Sequence, residues 1–370
     1  MMNQISLTTR LREYINKVLP DAHAHQQKAV SIFVEAIIFV QSCCQASLAC
    51  HFENFEAASK RLSRLIHNER IDDRELAFSH ARSFIRMFRA KQALRLQLDW
   101  TTEDNQHLLV PSLQFGRRAI PLYWRGYEAE DLKEKMSQYE RSFIRELFEE
   151  VLPAIERRRF ILTADRWFAD VEFLILLNDF GISYIIRTKS SHKVLVKSKW
   201  QRLGSLKWEG NQRRRSYGKL WYCESDPLRV HFSQTRIKDK EGSWQVWHLL
   251  SNRNLSAKRM SYEYRCRLCC EEGFRDEKRL PGFAESRIGS IKAWQRMFAL
   301  VAIALLILSC LGSAFLKHEK KQQWLRRVRS RRKKRSELSL VRLIVELLKK
   351  EKELWTLLNI QTKLNLNARL

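Results

Sequence analysis

Four residues between Tyr264 and Lys278 have the types and spacing to act on a phosphate. Tyr264, Arg267, Glu271 and Lys278 are separated by three, four and seven residues. Because successive residues of an α-helix are rotated by about 100°, this spacing predicts one helix that carries all four side chains on a narrow face. Ions are rarely buried unpaired, so the face is expected to meet a polyanion with a metal ion between them.

Glu271 needs partners, because phosphate chemistry with two metal ions requires several carboxylates around cations about 4 Å apart. Asp99 is the first candidate: it follows a segment in which leucines alternate with polar residues, as in a half-buried strand. Asp165 is the second, since it ends the apolar segment 160–164. A lone aspartate at a strand end is more commonly a turn former or helix cap, so the assignment depends on all three occurring together.

Four other carboxylates are less suitable. Asp104 lies in a polar turn beyond the first strand, and Asp170 and Asp179 lie in or after the helix that follows Asp165. Glu272 is rotated by about 100° from the predicted face. These positions favour the first three carboxylates.

The pattern Y-x2-R-x3-E-x6-K, with a neighbouring FRD segment, resembles the YREK signature of the DDE transposases of bacterial insertion sequences, the cut-and-paste family. Residues 159–170, RFILTADRWFAD, resemble the family's block of strand, Asp-Arg and glycine. Trp167 departs from that block, because the family usually has a small or acidic residue there. The resemblance covers about residues 60–316.

The resemblance implies a Mg²⁺-dependent enzyme that cuts DNA at the ends of its element and joins them to target DNA. Asp99, Asp165 and Glu271 would be catalytic and would hold two Mg²⁺ ions, for which Mn²⁺ is expected to substitute. It also implies excision through hairpin ends and a homodimer on double-stranded DNA, in which each subunit binds one end and cuts the other.

The resemblance also assigns DNA contacts. Tyr264, Arg267 and Lys278 would hold phosphates of the element's end. Trp247 would take the place of a family tryptophan that stacks on a flipped base near the cut, with Trp244 as the alternative.

The elements around these residues predict an α/β fold, and the resemblance implies that it is a ribonuclease-H-like catalytic core. Segments 107–115 and 118–125 read as two further strands around a turn at Gly116, which gives a three-stranded meander. A helix is expected over 137–152, then the Asp165 strand, a helix from Asp170 to Asp179 and a strand over 183–189. Alternating strands and helices favour a mixed sheet.

Changes in composition along the chain divide it into five regions, and the resemblance implies their roles. They are a helical DNA-end-binding domain (1–90), the first part of the core (91–189), a β-rich insertion (190–257), the last part of the core with the YREK helix (258–316) and a basic helical C-terminal tail (317–370). The insertion interleaves tryptophans with cations, as DNA contact requires, although most of these tryptophans are expected to fill a small β core. In the first region Lys60, Arg61 and Arg64 fall on one helix face, and Arg61 and Arg64 are predicted to contact the DNA backbone.

Charge favours a polyanionic partner. The 370 residues contain 68 Lys and Arg against 41 Asp and Glu, a net charge of +27. Such an excess binds DNA through counterion release, but it also suits RNA or an anionic membrane surface. The densest run, from Lys320 to Arg335, fits a solvated tail or a phosphate clamp.

One segment raises a membrane alternative. Residues 297–316 include no charge, lie between Arg296 and Lys317, and are long enough to cross a bilayer. A buried core helix is the favoured interpretation; the alternative is a membrane-anchored nuclease. The N-terminal residues lack the apolar core of a signal peptide, and the eight cysteines lack the two spaced pairs of a zinc site. We therefore expect a cytoplasmic, nucleoid-associated protein with reduced thiols and no membrane partner.

A second alternative is a protein that descends from a transposase but has lost its activity. The chain could be a degraded, basic DNA-binding descendant of a transposase that no longer cuts. The intact carboxylates argue against this alternative, while Trp167 and the cysteines beside Glu271 leave it open.

Overall fold

The computed structural model describes residues 7–20, 22–89, 92–115, 118–152, 157–206, 208, 212–239, 241–267, 283, 286–319, 323, 325, 340–350 and 354. Its helices are α1 (Leu7–Val18), α2 (Ala24–Val40), α3 (Gln45–Ala49), α4 (Phe55–Ile66), α5 (Asp73–Arg86), α6 (Ala129–Leu132), α7 (Met136–Glu146), α8 (Val171–Asp179), α9 (Ala257–Arg265), α10 (Ile291–Lys317) and α11 (Leu340–Lys350). Its strands are β1 (Leu94–Glu103), β2 (Gln106–Phe115), β3 (Arg118–Pro121), β4 (Arg125–Glu128), β5 (Phe160–Ala164), β6 (Ser183–Thr188), β7 (Lys193–Val196), β8 (Lys199–Arg202), β9 (Arg214–Tyr222), β10 (Leu228–Lys238) and β11 (Trp244–Ser251).

All of these strands belong to one mixed sheet. Its order is β3-β2-β1-β5-β6-β11-β10-β9-β7-β8, and β4 also pairs with β2. The neighbours β1, β5 and β6 run parallel, whereas the other pairs are antiparallel. The α/β class with a large mixed sheet is confirmed. The parallel strands β5 and β6 therefore end on the same side of the sheet, and the carboxyl end of β5 lies beside the middle of β1, where Asp99 is located.

The predicted meander is present, but its third strand is divided. Segment 118–125 forms β3 and the first residue of β4, both paired with β2. Between them, Tyr123 and Trp124 are fully buried. Pro121 ends β3, since it has no N–H to donate to a ladder. The break lets two large aromatic side chains enter the core.

The predicted helix over 137–152 is regular only in its first part. After α7, residues Leu147–Val151 form a single π-helical turn in which Leu147, Phe148 and Val151 are buried. The wider turn changes the helical phase, so the last apolar residues still face the sheet. The helix over Asp170 to Asp179 and the strands at 160–164 and 183–188 agree with the prediction.

The β-rich region 190–257 continues the core sheet, because β11 pairs with β6 with Leu250 opposite Ile186. One hydrophobic cluster extends from the N-terminal helices through the sheet to α10. The region boundaries remain predictions.

The apolar segment 297–316 lies within α10. This helix is long and apolar enough to span a membrane, but 89% of its most apolar window is buried. It packs against α2, α5 and α11. Arg296 is 6% exposed and donates to the carbonyls of Ile71 at 2.7 Å and Ile66 at 3.0 Å. These contacts fit the predicted core helix rather than a membrane span.

Candidate active site

The first strand has two different buried faces. Leu94, Leu96 and Leu98 are fully buried on one face and contribute to the main core. Because side chains alternate along a strand, Arg95, Gln97 and Asp99 point to the other face. Gln97 is also fully buried, so this face is covered rather than open to solvent as the half-buried prediction implied.

The end of α9 covers that second face through three polar contacts, one at every second residue of β1. Arg95 pairs with Glu263 at 2.5 Å. Gln97 donates to the backbone carbonyl of Cys266 at 2.6 Å. Asp99 accepts a hydrogen bond from the guanidinium of the residue that follows Cys266, at 2.8 Å. The contacts hold the start of the predicted YREK motif against the strand that carries the first carboxylate.

The two described aspartates lie side by side. Leu98 of β1 is paired in register with Ala164 of β5, so Asp99, in the middle of β1, lies beside Asp165, which directly follows the end of β5. Arg267 contacts both: one guanidinium nitrogen lies 2.8 Å from an Asp99 oxygen and the other lies 4.0 Å from an Asp165 oxygen. One cation thus joins two carboxylates that were predicted to share a metal site.

The two carboxylates of Asp99 and Asp165 are stabilised by positive charge between them. Burial raises the pKa of Asp99, the Arg267 guanidinium opposes that shift, and the Asp165 charge adds to it. Arg267 is 7% exposed, so its own charge depends on these carboxylates for compensation. A pair of carboxylates with like charges is stabilised by any cation held between them.

The donors present fit a hard divalent cation, because Mg²⁺ prefers carboxylate oxygens. Across the described residues, no group of three or more His, Cys, Asp or Glu could hold a metal ion. Glu271, the predicted third ligand, lies outside the described residues, as do Lys278 and Glu272. The described part of the site therefore contains two of the three predicted ligands.

Backbone N–H groups bond to the two aspartates, and a buried glutamate bonds to the residue that follows Asp99. Asp99 accepts from the N–H of Trp100 at 3.0 Å, and Asp165 accepts from the N–H of Arg166. The Trp100 indole donates to Glu140 of α7 at 2.8 Å. Burial raises the pKa of Glu140 to about 7, and the bond from Trp100 opposes this shift. Sequence reasoning missed Glu140, because only the packing of α7 brings it to the Trp100 indole, on the face of β1 opposite to Asp99.

The end of α9 differs from the predicted helix. The α-helix stops at Arg265, and the N–H of Arg267 bonds to the carbonyl of Tyr264 at 2.9 Å in a tighter turn. Tyr264 is 2% exposed. Arg267 is buried rather than open to a polyanion, and two carboxylates compensate its charge.

The two candidate stacking tryptophans have opposite environments. Trp247 is 5% exposed and packs edge-on against Tyr264, with ring centroids 4.9 Å apart. Trp244 is 53% exposed, and Lys238 and Arg213 lie over its ring. Of these two tryptophans, Trp244 presents its indole to solvent and Trp247 does not, and the DNA contacts assigned to Trp247 and Tyr264 remain predictions.

The N-terminal cations lie on an open surface. Arg61 and Arg64 are exposed on α4 and line a groove of about 1150 Å³ between α2 and α4. The other basic or imidazole side chains that line it are His25, Lys28, Lys60 and His67. The groove can accept an extended anion.

The described carboxylates ranked lower in the sequence lie apart from the pair. Asp104 occupies the β1–β2 turn with a φ of 49°. Asp170 pairs with Arg141 of α7 at 3.0 Å. Asp179 ends α8. These surroundings support ranking the three below Asp99 and Asp165.

Comparison with known proteins gives a match to a transposase domain. No curated protein matches the chain. A protein-family model described as the transposase DDE domain matches residues 134–307, a range that contains Asp165 and Glu271. Asp99 lies upstream of that range, so its place in the site rests on its register with β5. This match supports a transposase of the DDE type from an insertion sequence, and the mixed α/β sheet is compatible with such a domain.

Proposed function

We propose that this protein cleaves DNA at the ends of an insertion sequence and transfers the freed ends into target DNA, using a ribonuclease-H-like core. The observation that carries the proposal is the position of Asp99 beside Asp165 on neighbouring parallel strands, around a single cationic group. Two carboxylates in that arrangement are suited to phosphodiester chemistry with divalent ions.

The residues present fit the metal ions of this reaction class. Asp99, Asp165 and Glu271 would hold two Mg²⁺ ions, which supply a nucleophilic oxygen at neutral pH and neutralise charge at phosphorus. In cleavage, the oxygen of water forms a bond to phosphorus and the bond to the 3′-oxygen breaks. In strand transfer, the freed 3′-hydroxyl takes the place of water and a target phosphodiester is broken.

Arg267 is the residue that links the carboxylates to the substrate. Its planar guanidinium now pairs with Asp99, and the same fork suits the oxygens of a phosphate. When DNA enters, exchange of the carboxylate for a phosphate would free the aspartates for metal ions and fix the DNA beside them. The predicted DNA contact of Arg267 and its observed carboxylate pairing are then two states of one residue.

The basic groove between α2 and α4 would hold the element's end in a homodimeric complex on double-stranded DNA. Arg61 and Arg64 are exposed there, so neither has to break a buried contact to reach a phosphate. For each phosphate contact removed, the plot of the logarithm of the DNA-binding constant against the logarithm of the salt concentration becomes less steep by about 0.9. Arg61→Ala should show that change, whereas Arg12→Ala, an exposed arginine on α1, should not. An unchanged slope for Arg61→Ala would remove the groove from the proposal.

The catalytic assignment is tested with a labelled duplex that carries the element's own ends, incubated with Mg²⁺. Asp165→Asn and Glu271→Gln should lose cleavage by a factor of about 10⁴, the order found when one member of a catalytic set is removed. Asp170→Asn is the matched control: the same change five residues further on, at a carboxylate paired with Arg141. Binding without cleavage by the unmodified protein would instead favour the degraded, DNA-binding descendant.

A further inference from the structure

Trp167 is the most exposed of the large hydrophobic side chains in the described part of the chain, at 64%. It lies two residues after Asp165, in the 3₁₀ turn Arg166–Phe168 that follows β5. Two residues of extended chain span at most about 7 Å, so this indole is anchored beside the candidate site. Scattered exposed aromatics need no explanation, but one fixed next to a candidate catalytic carboxylate does.

The two residues that follow Trp167 are held by packing and by a hydrogen bond. Phe168 is 1% exposed and packs on Phe173, with ring centroids 5.6 Å apart. The carbonyl of Ala169 accepts a hydrogen bond from the Tyr222 hydroxyl at 2.8 Å. The backbone around Trp167 is therefore fixed while its side chain faces outward.

A cation from the neighbouring strand covers the Trp167 ring. The Lys189 ammonium lies 3.7 Å from the ring centroid. Lys189 follows β6, which is parallel to β5, so it emerges on the same side of the sheet as Asp165. An exposed indole with a cation beside it is the combination that binds single-stranded or unpaired nucleotides: the ring stacks on a base and the cation meets the backbone.

We propose that Trp167 and Lys189 form a platform that stacks the base next to the cleaved phosphate. The inference rests on the proposed function, since a phosphate held at Asp99 and Asp165 brings its neighbouring base within reach of the indole. It differs from the roles expected of Trp247 and Trp244, which lie on β11. Trp167 stands where similar proteins usually have a small or acidic residue, so the platform would be a property of this chain.

The test is a double-mutant cycle in which a substitution at Trp167 is combined with the removal of one base from the DNA. Duplexes carrying the element's end are made with a single abasic site at each position around the cleaved phosphate. Binding is measured by fluorescence anisotropy in Ca²⁺, so that no DNA is consumed. Trp167→Ala should weaken binding to intact DNA by roughly 5- to 150-fold, and one abasic position should weaken the unmodified protein similarly. Trp167→Ala combined with that abasic position should weaken binding no more than either change alone. Trp167→Phe should retain part of the affinity.

Trp221→Ala is the matched control, because Trp221 is 40% exposed and has Arg229 over its ring at 5.4 Å, but lies on β9. It should leave the abasic profile beside the cleaved phosphate unchanged. The platform would be overturned if the Trp167→Ala and abasic changes weakened binding independently at every position, so that their effects multiply. The same result would follow if Trp221→Ala showed the same coupling to an abasic position. The proposed function would stand in either case. If the unmodified protein does not bind its element's ends, the proposed function fails and the platform fails with it.

Discussion

Removal of the Arg267 guanidinium tests whether it compensates the two aspartates. In Arg267→Ala, Asp99 loses a charged hydrogen bond of 2.8 Å and Asp165 loses a cation at 4.0 Å. Breaking a buried ion pair costs about 3–5 kcal/mol. The side chains of Asp99 and Asp165 are 23% and 30% exposed, so water recovers part of that cost. We expect a loss of about 2–4 kcal/mol in the free energy of unfolding at pH 7 without divalent ions.

The pH dependence of this loss has a definite sign. Burial and the neighbouring carboxylate raise the pKa of Asp99 above its unfolded value, so ionised Asp99 costs stability. That cost is absent below the unfolded pKa and develops as pH rises through the folded pKa. Arg267 opposes this cost in the unmodified protein. The difference in the free energy of unfolding between Arg267→Ala and the unmodified protein should therefore grow with pH and nearly vanish in acid. Mg²⁺ should restore more stability to the variant than to the unmodified protein, since it would replace the missing cation.

Urea unfolding followed by circular dichroism, from pH 4 to 8, measures these differences. Arg259→Ala is the control: its guanidinium lies 2.6 Å from Glu263 but is 54% exposed, and an exposed pair contributes at most about 1 kcal/mol. Glu263 also keeps Arg95 as a partner in that variant. A loss for Arg267→Ala no larger than that for Arg259→Ala, or one independent of pH, would refute the compensation of the aspartates by Arg267.

Three further predictions concern the elements around the site. The folded pKa of Glu140, about 7, lies above the ordinary 4.5, so stability falls as pH rises through 7; Glu140→Gln should keep the acceptor for Trp100 and gain up to about 3 kcal/mol at pH 8 but little at pH 4, in urea titrations at both pH values. Gly126→Ala would place a methyl carbon 2.8 Å from Ile291 of α10 and should lower the free energy of unfolding by about 1–3 kcal/mol in the same assay, whereas full stability would mean that the contact relaxes freely. Arg296→Met should cost about 2–4 kcal/mol, because two backbone carbonyls lose a charged donor, and a more stable variant in thermal melts would contradict that role.

The sequence by itself determined the strands and the candidate ligands that lie on them. Alternation from Leu94 to Leu98 marked β1, and the apolar run before Asp165 marked β5, because a strand buried on one or both faces must show a period of two or a continuous apolar segment. The spacing from Tyr264 to Lys278 predicted the chemistry through its resemblance to a known family. The length and apolar composition of residues 297–316 were compatible with a core helix or a membrane span, and only their burial against other helices decided between these two.

The tertiary structure alone decided what each polar side chain meets. Arg95, Gln97 and Asp99 alternate along β1 as any solvent-facing set would, yet the end of α9 covers them. Glu140 lies about forty residues from Asp99 in sequence and reaches its neighbour Trp100 only because α7 packs on the sheet. Local periodicity reports which face of an element is apolar, but the partner of a charged side chain depends on contacts between residues distant in sequence, and these are set by how the elements pack.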